Sequence, residues 1–306
     1  MSNVWGIIGG GFGLYGYLPA LVEIGVNRIL VHEKYMPLII ARAELNRYFP
    51  NIELTKSYEE ILNQAESLIF AVPPEVQEKY ILEKISKNYK YLLLEKPLGT
   101  NPTSAKNVLR RGLEISGSMR IGYTFMYSQW AEKIARIMPL EEIFECKISW
   151  LFNSYHHRKT LKTWKSDHSC GGGALRFYGI QLIAFIAAVG KIKDVVESRL
   201  IFDKNNDAYE WGANLVMKNG ARIAILLNSQ SPKDQFRLLA KAGNKEFNAE
   251  LDAPFDDEPR IGEQDIRTKA LSNLLDSFLK DNSYDYYYLI NQAWSNIESK
   301  TQYIYQ

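Results

Sequence analysis

The sequence predicts two domains of different architecture. Through about residue 125, apolar strand-like runs alternate with amphipathic helical patterns, which is typical of a doubly wound α/β domain with a parallel sheet. After about residue 140, strand-like runs follow one another and predict an α+β domain with an open-faced, mainly antiparallel sheet. A glycine-rich turn directly follows the first strand. We place the domains at residues 1–122 and 123–306, and we expect the C-terminal helix to return to the first domain.

Composition excludes several classes of protein. The 306 residues are 46% hydrophobic and 24% charged, which is ordinary for a folded globular chain. Lys and Arg number 37 against 35 Asp and Glu, without the basic stripe of a nucleic-acid binder. Two cysteines and four histidines lack metal or disulfide spacing. The longest nearly apolar stretch, Ile180–Val189, is half a membrane span, and the N-terminus lacks a secretory pattern. We therefore expect a cytoplasmic protein that binds no metal, nucleic acid or membrane.

The elements of the first half follow from local signals. Six strands are predicted at Val4–Gly9, Asn27–Glu33, Ile52–Thr55, Ser67–Val72, Tyr89–Glu95 and Met119–Phe125. Helices are predicted at Leu14–Gly25, Pro37–Tyr48, Tyr58–Ala65 and Glu75–Lys87, with another opening near Asn101. Ser57 is a suitable N-cap for the third of these helices, because its hydroxyl can accept from a first-turn N–H.

The second half reads as strands around one long helix. Strands are predicted at Glu142–Phe152, Asp194–Phe202, Ala208–Met217, Ala221–Asn228, Gln235–Ala242 and Glu246–Leu251. The long helix is predicted at Leu175–Val189, and the tail from Asp265 to Gln306 has a helical pattern. The Asn219-Gly220 pair predicts a type I′ hairpin turn, which needs positive φ at both central residues.

The glycine turn, residues 9–16 (GGGFGLYG), is suited to a dinucleotide. Gly9 and Gly11 allow a tight turn and close approach of a pyrophosphate to a helix N-terminus, so Gly9, Gly11, Phe12 and Gly13 are the candidate cofactor contacts. The third glycine of the dinucleotide pattern is replaced by Leu14, with glycines on either side of it. Its position between a strand and a helix predicts a Rossmann domain.

The residues after the second strand bear on the choice of cofactor. Glu33 lies 22 residues after Gly11, where an acid is expected to bind the ribose hydroxyls. A carboxylate there repels a 2′-phosphate and favours NAD. Lys34 follows it and could bind that phosphate, which leaves NADP open.

The fifth strand ends in Glu95-Lys96-Pro97. Ligands of open α/β sheets bind outside the carboxyl ends of the strands, so we expect Lys96 where a substrate meets the nicotinamide. A lysine there can hydrogen-bond a hydroxyl or keto oxygen and relay a proton. Pro97 stops the strand and fixes the backbone, with a cis peptide bond as one way to do so.

Four motifs together resemble the glucose–fructose oxidoreductase / inositol dehydrogenase family over essentially the full length. They are GIIGGGFG, AVPPEV, LLLEKPLGTN, and Trp164 followed by CGGGAL at 170–175. The resemblance implies a Rossmann domain before an open-faced sheet, and hydride transfer between NAD(P) and a hydroxyl or keto group of a sugar, nucleotide sugar or cyclitol. It also implies cofactor contacts from Val72, Pro73, Glu95 and Lys96.

The chain departs from the family pattern at its usual catalytic residues. Members continue the GGG run to an Asp that contacts substrate and a His acid/base, but here those positions are Phe177 and Gln181. Gln77 likewise replaces a frequent His. Glutamine hydrogen-bonds but does not titrate near pH 7, so the usual acid/base is absent.

Three interpretations remain open. In the first, Lys96 transfers the proton while Gln181 orients the substrate. In the second, a tyrosine transfers the proton: Tyr178, three residues before Gln181, is the first candidate, and Tyr123 and Tyr127 are others. In the third, the chain binds ligand without catalysing a reaction, as a regulatory or scaffold protein.

The predicted substrate contacts are Lys96, Tyr123, Trp164, Phe177 and Gln181. Trp164 suits stacking on a sugar or base, and packing is the alternative. The loop before the GGG run (YHHRKTLKTWKSDHS) is basic, which favours an anionic substrate such as a nucleotide sugar; a solvated loop explains it equally. An open sheet face predicts a homodimer or homotetramer.

Overall fold

The computed structural model describes residues 3–259, 264–279 and 284–306. The chain divides into two compact units, each with its own sheet, and the predicted fold class is confirmed. Unit 1 comprises residues 1–98, 107–127 and 258–283, and unit 2 comprises residues 99–106, 128–257 and 284–306. The predicted domain boundary and the predicted return of the tail stay predictions.

The strands of unit 1 form one parallel sheet in the order β3-β2-β1-β4-β5-β6. They are β1 (Trp5–Ile8), β2 (Ile29–His32), β3 (Ile52–Thr55), β4 (Ser67–Phe70), β5 (Tyr89–Leu94) and β6 (Ser116–Ile121). This is the strand order of a Rossmann fold, in which the order reverses between β1 and β4. The two central strands β1 and β4 are buried at every residue, as a sheet covered on both faces requires.

Helices connect the strands in both units. They are α1 (Leu18–Glu23), α2 (Met36–Ala41), α3 (Ala43–Asn46), α4 (Tyr58–Gln64), α5 (Pro74–Lys79), α6 (Pro102–Glu114), α7 (Gln129–Ile137), α8 (Tyr155–Arg158), α9 (Ile180–Val189), α10 (Thr268–Asp276) and α11 (Asp285–Ser299). Ser57 caps α4 as predicted, with its hydroxyl accepting from the Glu60 N–H at 3.1 Å. Three π-helical turns also occur among the described residues, at Gly13–Tyr17, Tyr80–Lys84 and Ala174–Gly179.

The core of unit 1 extends from the sheet to a helix near the end of the chain. Trp5 and Ile7 of β1 pack in one apolar cluster with Leu271 and Leu274 of α10. Phe278 lies with its ring 6.0 Å from that of Trp5. Residues about 270 positions apart in sequence therefore complete one core.

Unit 2 contains a seven-stranded, mostly antiparallel sheet in the order β12-β11-β7-β10-β9-β8-β13. Its strands are β7 (Glu145–Asn153), β8 (Ile192–Phe202), β9 (Ala208–Met217), β10 (Arg222–Asn228), β11 (Gln230–Ala242), β12 (Lys245–Leu251) and β13 (Gln302–Tyr305). The pairs β10–β7 and β13–β8 are parallel, and the other four are antiparallel. The rings of Trp130, Phe185 and Phe236 meet within 5.4 Å in its core.

The hairpin between β9 and β10 differs from the predicted type I′ turn. Three residues, 218–220, form the loop, with the Gly220 N–H donating to the Met217 carbonyl at 2.9 Å. Gly220 has φ of +89°, whereas Asn219 is not among the residues with positive φ. A three-residue loop needs left-handed backbone only at its last position, so one glycine suffices.

Other local differences have physical causes. The predicted helix 37–48 is interrupted at Arg42, whose backbone is extended. β6 begins three residues earlier than predicted, at Ser116, because an edge strand tolerates the polar Ser-Gly-Ser start. The unpredicted α7 is capped by Ser128 and buries Trp130 and Ile134.

The predicted helical tail is a helix only in part. Residues 302–305 form β13, which pairs in parallel with β8, and residues 280–283 of the tail prediction lie outside the described residues. All four residues of β13 are exposed, so pairing with β8 determines their conformation rather than an apolar pattern.

One stretch has the length and hydropathy of a membrane span. Among the described residues this is His168–Val189, and most of its apolar window is buried inside the fold, as in the core helix of a globular protein. Cys146 and Cys170 are free thiols. No group of three or more His, Cys, Asp or Glu within the described ranges could hold a metal ion.

Candidate functional sites in the two units

The glycine turn of unit 1 lies at the point where the strand order reverses. It connects β1 to a helical segment that begins at Gly13 and continues through α1, and the segment after β4 lies beside it. Gly9 has φ of +126°, and a Cβ there would overlap the Ala71 carbonyl and lie 3.3 Å from Val72. The predicted contacts Gly9 and Val72 are therefore neighbours, and Pro73 directly precedes α5.

The turn has the features that a pyrophosphate needs. A Cβ at Gly11 would meet no atom within 4 Å, so the backbone there faces open space. First-turn N–H groups lack helical acceptors and carry the positive end of the helix dipole. The Phe12 ring packs 5.2 Å from the ring of Tyr17. A dinucleotide fits this turn, and Gly9, Gly11 and Gly13 are the residues that would bind its phosphates.

Tyr35, just after β2, and Tyr58, the first residue of α4, form a cluster that we call the tyrosine pair. Their hydroxyls are 2.6 Å apart, and burial with this hydrogen bond raises the pKa of Tyr35 to about 12. Glu33 is exposed and begins the single helical turn Glu33–Tyr35. The Lys34 ammonium lies over both rings, 4.3 Å from the Tyr58 centroid and 5.1 Å from the Tyr35 centroid. The Lys34 ammonium therefore contacts the tyrosine pair.

A buried glutamine, Gln77, hydrogen-bonds the backbone of the Glu95-Lys96-Pro97 run. The Lys96–Pro97 peptide bond is cis. Gln77 is fully buried, and its side-chain amide donates to the carbonyls of Glu95 (3.0 Å) and Leu98 (3.1 Å). These carbonyls flank the lysine, so Gln77 fixes the backbone that carries Lys96 and does not act as a polar group of an open site.

Glu95 belongs to a buried polar network. The Tyr17 hydroxyl donates to its Oε1 at 2.8 Å. Burial raises the pKa of the Glu95 carboxyl, and Lys96, Tyr17 and Arg267 oppose that rise. Arg267 is paired with Asp265 at 2.6 Å, and its guanidinium lies 4.2 Å from the Phe12 ring centroid. The network joins the glycine turn to the lysine run.

Tyr123 and Tyr127 follow β6 in unit 1. Tyr123 is buried, and the Tyr127 hydroxyl is 3.2 Å from that of Ser277. Neither side chain is exposed.

In unit 2, two of the predicted substrate residues, Trp164 and Phe177, belong to an aromatic cluster. Its members are Trp150, Phe152, Trp164, Phe177 and Tyr178. The ring of Phe177 lies 5.2 Å from that of Trp164 and 4.7 Å from that of Tyr178. Trp150 and Phe152 stack at 4.7 Å, and Phe152 contacts Tyr178 at 4.8 Å. All five side chains are half-buried. Phe177, the position that the family pattern gives to an Asp, therefore lies among other rings.

Tyr178 and Gln181 lie across a change of helix type. Tyr178 is in the π-helical turn, whereas Gln181 is buried in α9, so the rule that residues three apart share one face of an α-helix does not apply to them. Burial raises the pKa of Tyr178 to about 12, and a hydrogen bond with Ser154 lowers it in part. Such a phenol is protonated at neutral pH, so it can donate a hydrogen bond but is not a base.

The basic loop contributes two groups beside Tyr178. His156 and Lys165 line a small polar crevice with Ser154 and Tyr178. Burial and the nearby Lys165 lower the pKa of His156. The imidazole and the ammonium are therefore placed next to the predicted substrate residues of the same unit.

A buried ion pair supports the GGG run. The Arg176 guanidinium donates to the Glu298 carboxylate, to the Thr100 carbonyl (2.9 Å) and to the His168 carbonyl (2.7 Å). His168 Nε2 lies 3.6 Å from Glu298 Oε1. Burial, with Arg176 nearby, lowers the pKa of His168 to about 3.

Several of these residues were not predicted from the sequence. Tyr17, Tyr58 and Arg267 lie within helical or loop patterns that give no local signal of a site. Phe152 follows Trp150 at strand spacing, and this repeated aromatic could have indicated a ring cluster on one face.

Comparison with known proteins shows the fold of this chain but does not assign it to a family. No family model matches the chain, and no curated protein matches it. Solved structures do match. The chain is similar to the 3-ketoreductase KijD10 from Actinomadura kijaniata, in complex with NADP and TDP-benzene, at 15% identity and a TM-score of 0.68 over the whole of both chains.

Two further structures are similar over nearly the whole chain. GenD2 from gentamicin A biosynthesis, in complex with NAD, matches at 15% identity and a TM-score of 0.75, covering 98% of this chain and 94% of its own. The WlbA dehydrogenase from Chromobacterium violaceum, in complex with NADH and UDP-GlcNAcA, matches at 11% identity and a TM-score of 0.76 with the same coverage. The chain therefore shares the two-part fold of these proteins, a Rossmann unit joined to an open-sheet α/β unit.

Proposed function

We propose that the protein is an NAD(P)-dependent oxidoreductase that transfers a hydride between the nicotinamide and a hydroxyl or keto group of a sugar. The open backbone face at Gly11, at the reversal point of a Rossmann sheet, is the observation that carries the proposal. The similar structures, solved with NADP, NAD and NADH, support it. The motif resemblance to the glucose–fructose oxidoreductase / inositol dehydrogenase family supports it independently.

Each unit contributes its own residues to this function. In unit 1, Gly9, Gly11 and Gly13 bind the pyrophosphate, and Lys96 hydrogen-bonds the reacting oxygen and transfers its proton. When bound, the nicotinamide supplies the hydride chemistry. In unit 2, Trp164 and Phe177 provide apolar surface for a sugar ring, and Tyr178 donates a hydrogen bond.

We propose NAD rather than NADP as the cofactor. Glu33 is exposed directly after β2, and its carboxylate can accept bonds from ribose hydroxyls but repels a 2′-phosphate. NADH should bind more tightly than NADPH, and Glu33→Ala should narrow the difference by about tenfold, the scale of one charge-assisted hydrogen bond. Titration of both dinucleotides by nicotinamide fluorescence measures this. Tighter NADPH binding by the unsubstituted protein would contradict the assignment.

For the substrate we propose a nucleotide-linked sugar. Lys165 lies beside Tyr178 and provides positive charge for a diphosphate, and the His156 imidazole beside it can hydrogen-bond a phosphate oxygen. The complexes of KijD10 with TDP-benzene and of WlbA with UDP-GlcNAcA support an anionic, nucleotide-bearing ligand.

A non-catalytic binder is the second candidate function. It is favoured by one observation: the usual Asp and His are Phe177 and Gln181, and Gln181 is buried. Such a protein would bind NADH with no turnover.

We also propose that the protein is cytoplasmic and forms a homodimer or homotetramer. Two exposed apolar side chains at the sheet of unit 2, Phe144 and Val196, support this assembly.

A further inference from the structure

We infer that Tyr58 strengthens the preference for NADH over NADPH by holding the Lys34 ammonium over its ring, in competition with a 2′-phosphate. The inference rests on the proposed function, because it concerns the site for that cofactor. Lys34 is the basic side chain next to Glu33, so it is the group that would recognise the phosphate. The affinity for NADPH should therefore depend on where the Lys34 ammonium is held.

The geometry holds Lys34 on the side of the tyrosine pair. Its ammonium lies 4.3 Å from the Tyr58 centroid, closer than to the Tyr35 centroid at 5.1 Å. Its backbone N–H donates to His32 Nδ1 at 3.2 Å, which fixes the direction of the chain at this residue. The His32 ring in turn meets Tyr58 edge-on at 5.2 Å.

The tyrosine pair is anchored to the glycine turn. A Cβ at Gly10 would overlap the Tyr35 ring, so this ring lies directly on the turn. The hydrogen bond of 2.6 Å between the two hydroxyls then holds Tyr58 beside Tyr35. The rings that receive Lys34 are therefore fixed between the pyrophosphate-binding turn and the end of β2, where the ribose of a dinucleotide binds.

The expected size of the effect follows from the strength of a cation–π contact. At an exposed site this contact favours the stacked position by about 2- to 5-fold. A 2′-phosphate must compete with the rings for Lys34, whereas a 2′-hydroxyl does not use Lys34. Removal of the Tyr58 ring should therefore strengthen NADPH binding and leave NADH binding nearly unchanged.

The test is titration of NADH and NADPH into purified variants at one fixed ionic strength. Tyr58→Leu should lower the Kd for NADPH by about 2- to 5-fold and change the Kd for NADH by less than that. Tyr58→Phe is the matched control, since it keeps the ring and removes only the hydroxyl that binds Tyr35; it should change the ratio of the two Kd values by less than Tyr58→Leu does. Thermal melting checks that each variant is folded.

A variant that lacks the Lys34 ammonium tests whether the effect of Tyr58 depends on that cation. In Lys34→Met, the further substitution Tyr58→Leu should have no effect on the ratio, because the cation is gone. Weaker or unchanged NADPH binding in Tyr58→Leu, with NADH binding intact, would overturn the inference. Failure of the unsubstituted protein to bind either dinucleotide would instead overturn the proposed function, so the two failures are distinguishable.

Discussion

Lys96 is the residue on which the proposed chemistry depends most. Its backbone is fixed on both sides by hydrogen bonds from Gln77, and the preceding carboxyl of Glu95 is fixed by Tyr17. A positioned proton donor needs such support, because small displacements cost much of its effect. The Asp and His of the family pattern are Phe177 and Gln181 here, so the proposed function assigns the proton transfer to Lys96.

Lys96→Met should lower turnover about 10²-fold or more, the effect typical of a positioned acid/base. NADH affinity should change little, because the glycine turn binds the phosphates. Steady-state kinetics together with a binding titration separate the two. Lys90→Met is a matched control at an exposed position of β5, the strand that precedes Lys96, and should be neutral. Full activity in Lys96→Met would remove the catalytic role.

Local motifs made some site residues predictable and left others hidden. The glycine turn and the lysine run are contiguous in sequence and need only a strand before them, so Gly9, Gly11 and Lys96 could be found. Tyr17, Gln77 and Tyr58 acquire their roles from partners up to 78 positions away. No spacing rule encodes those contacts, because the fold creates them.

At the scale of elements, the buried pair of Arg176 and Glu298 connects α11 to the GGG run. His168 lies beside it, with both ring nitrogens buried and without a hydrogen bond in the described structure. Its ring meets those of Phe202 at 5.8 Å and Tyr303 at 5.6 Å. One side chain from β8 and one from β13 thus contact the neutral His168 imidazole.

We expect this imidazole to make the protein acid-sensitive. In the unfolded chain a histidine takes up a proton near its ordinary pKa of about 6.5, whereas burial holds the pKa of folded His168 at about 3. The unfolded state then binds more protons between these values, so stability falls as pH falls through that window. Burial raises the pKa of Glu298, which acts in the opposite direction.

His168→Phe keeps the ring contacts and removes the titrating group. Between pH 7 and pH 4.5, the loss in free energy of unfolding should be smaller in this variant by roughly 2–3 kcal/mol. Urea unfolding at the two pH values measures this loss. An equal loss in both proteins would show that His168 is not the acid-sensitive group.

Elements were predictable where a local pattern decided them. The bounds Ile52–Thr55 and Ala208–Met217 were predicted as observed, since both strands are uninterrupted and bounded by turn residues. β13 was not, because its exposed residues take their conformation from pairing with β8. The break at Arg42 has no proline or glycine to mark it.

At the scale of the molecule, the change from alternating to consecutive strands predicted both sheets. The sheet order of unit 1 follows from right-handed crossovers and the position of the glycine turn after β1. The order of unit 2 was not predictable, because pairs such as β10–β7 are parallel and join strands about 75 positions apart. The substrate residues of unit 2 depend on that order.

The central claim is hydride transfer to or from a nucleotide sugar. The most direct test supplies the protein with NADH deuterated at the transferring position and a panel of nucleotide-linked keto-sugars, followed by mass spectrometry of the sugars. The proposed function predicts a product that has gained one deuterium from the cofactor at the reduced carbon and one solvent-derived hydrogen on the oxygen, and the loss of this product in Lys96→Met. No deuterium in any sugar, from a protein that binds NADH, would contradict the claim and favour the non-catalytic binder.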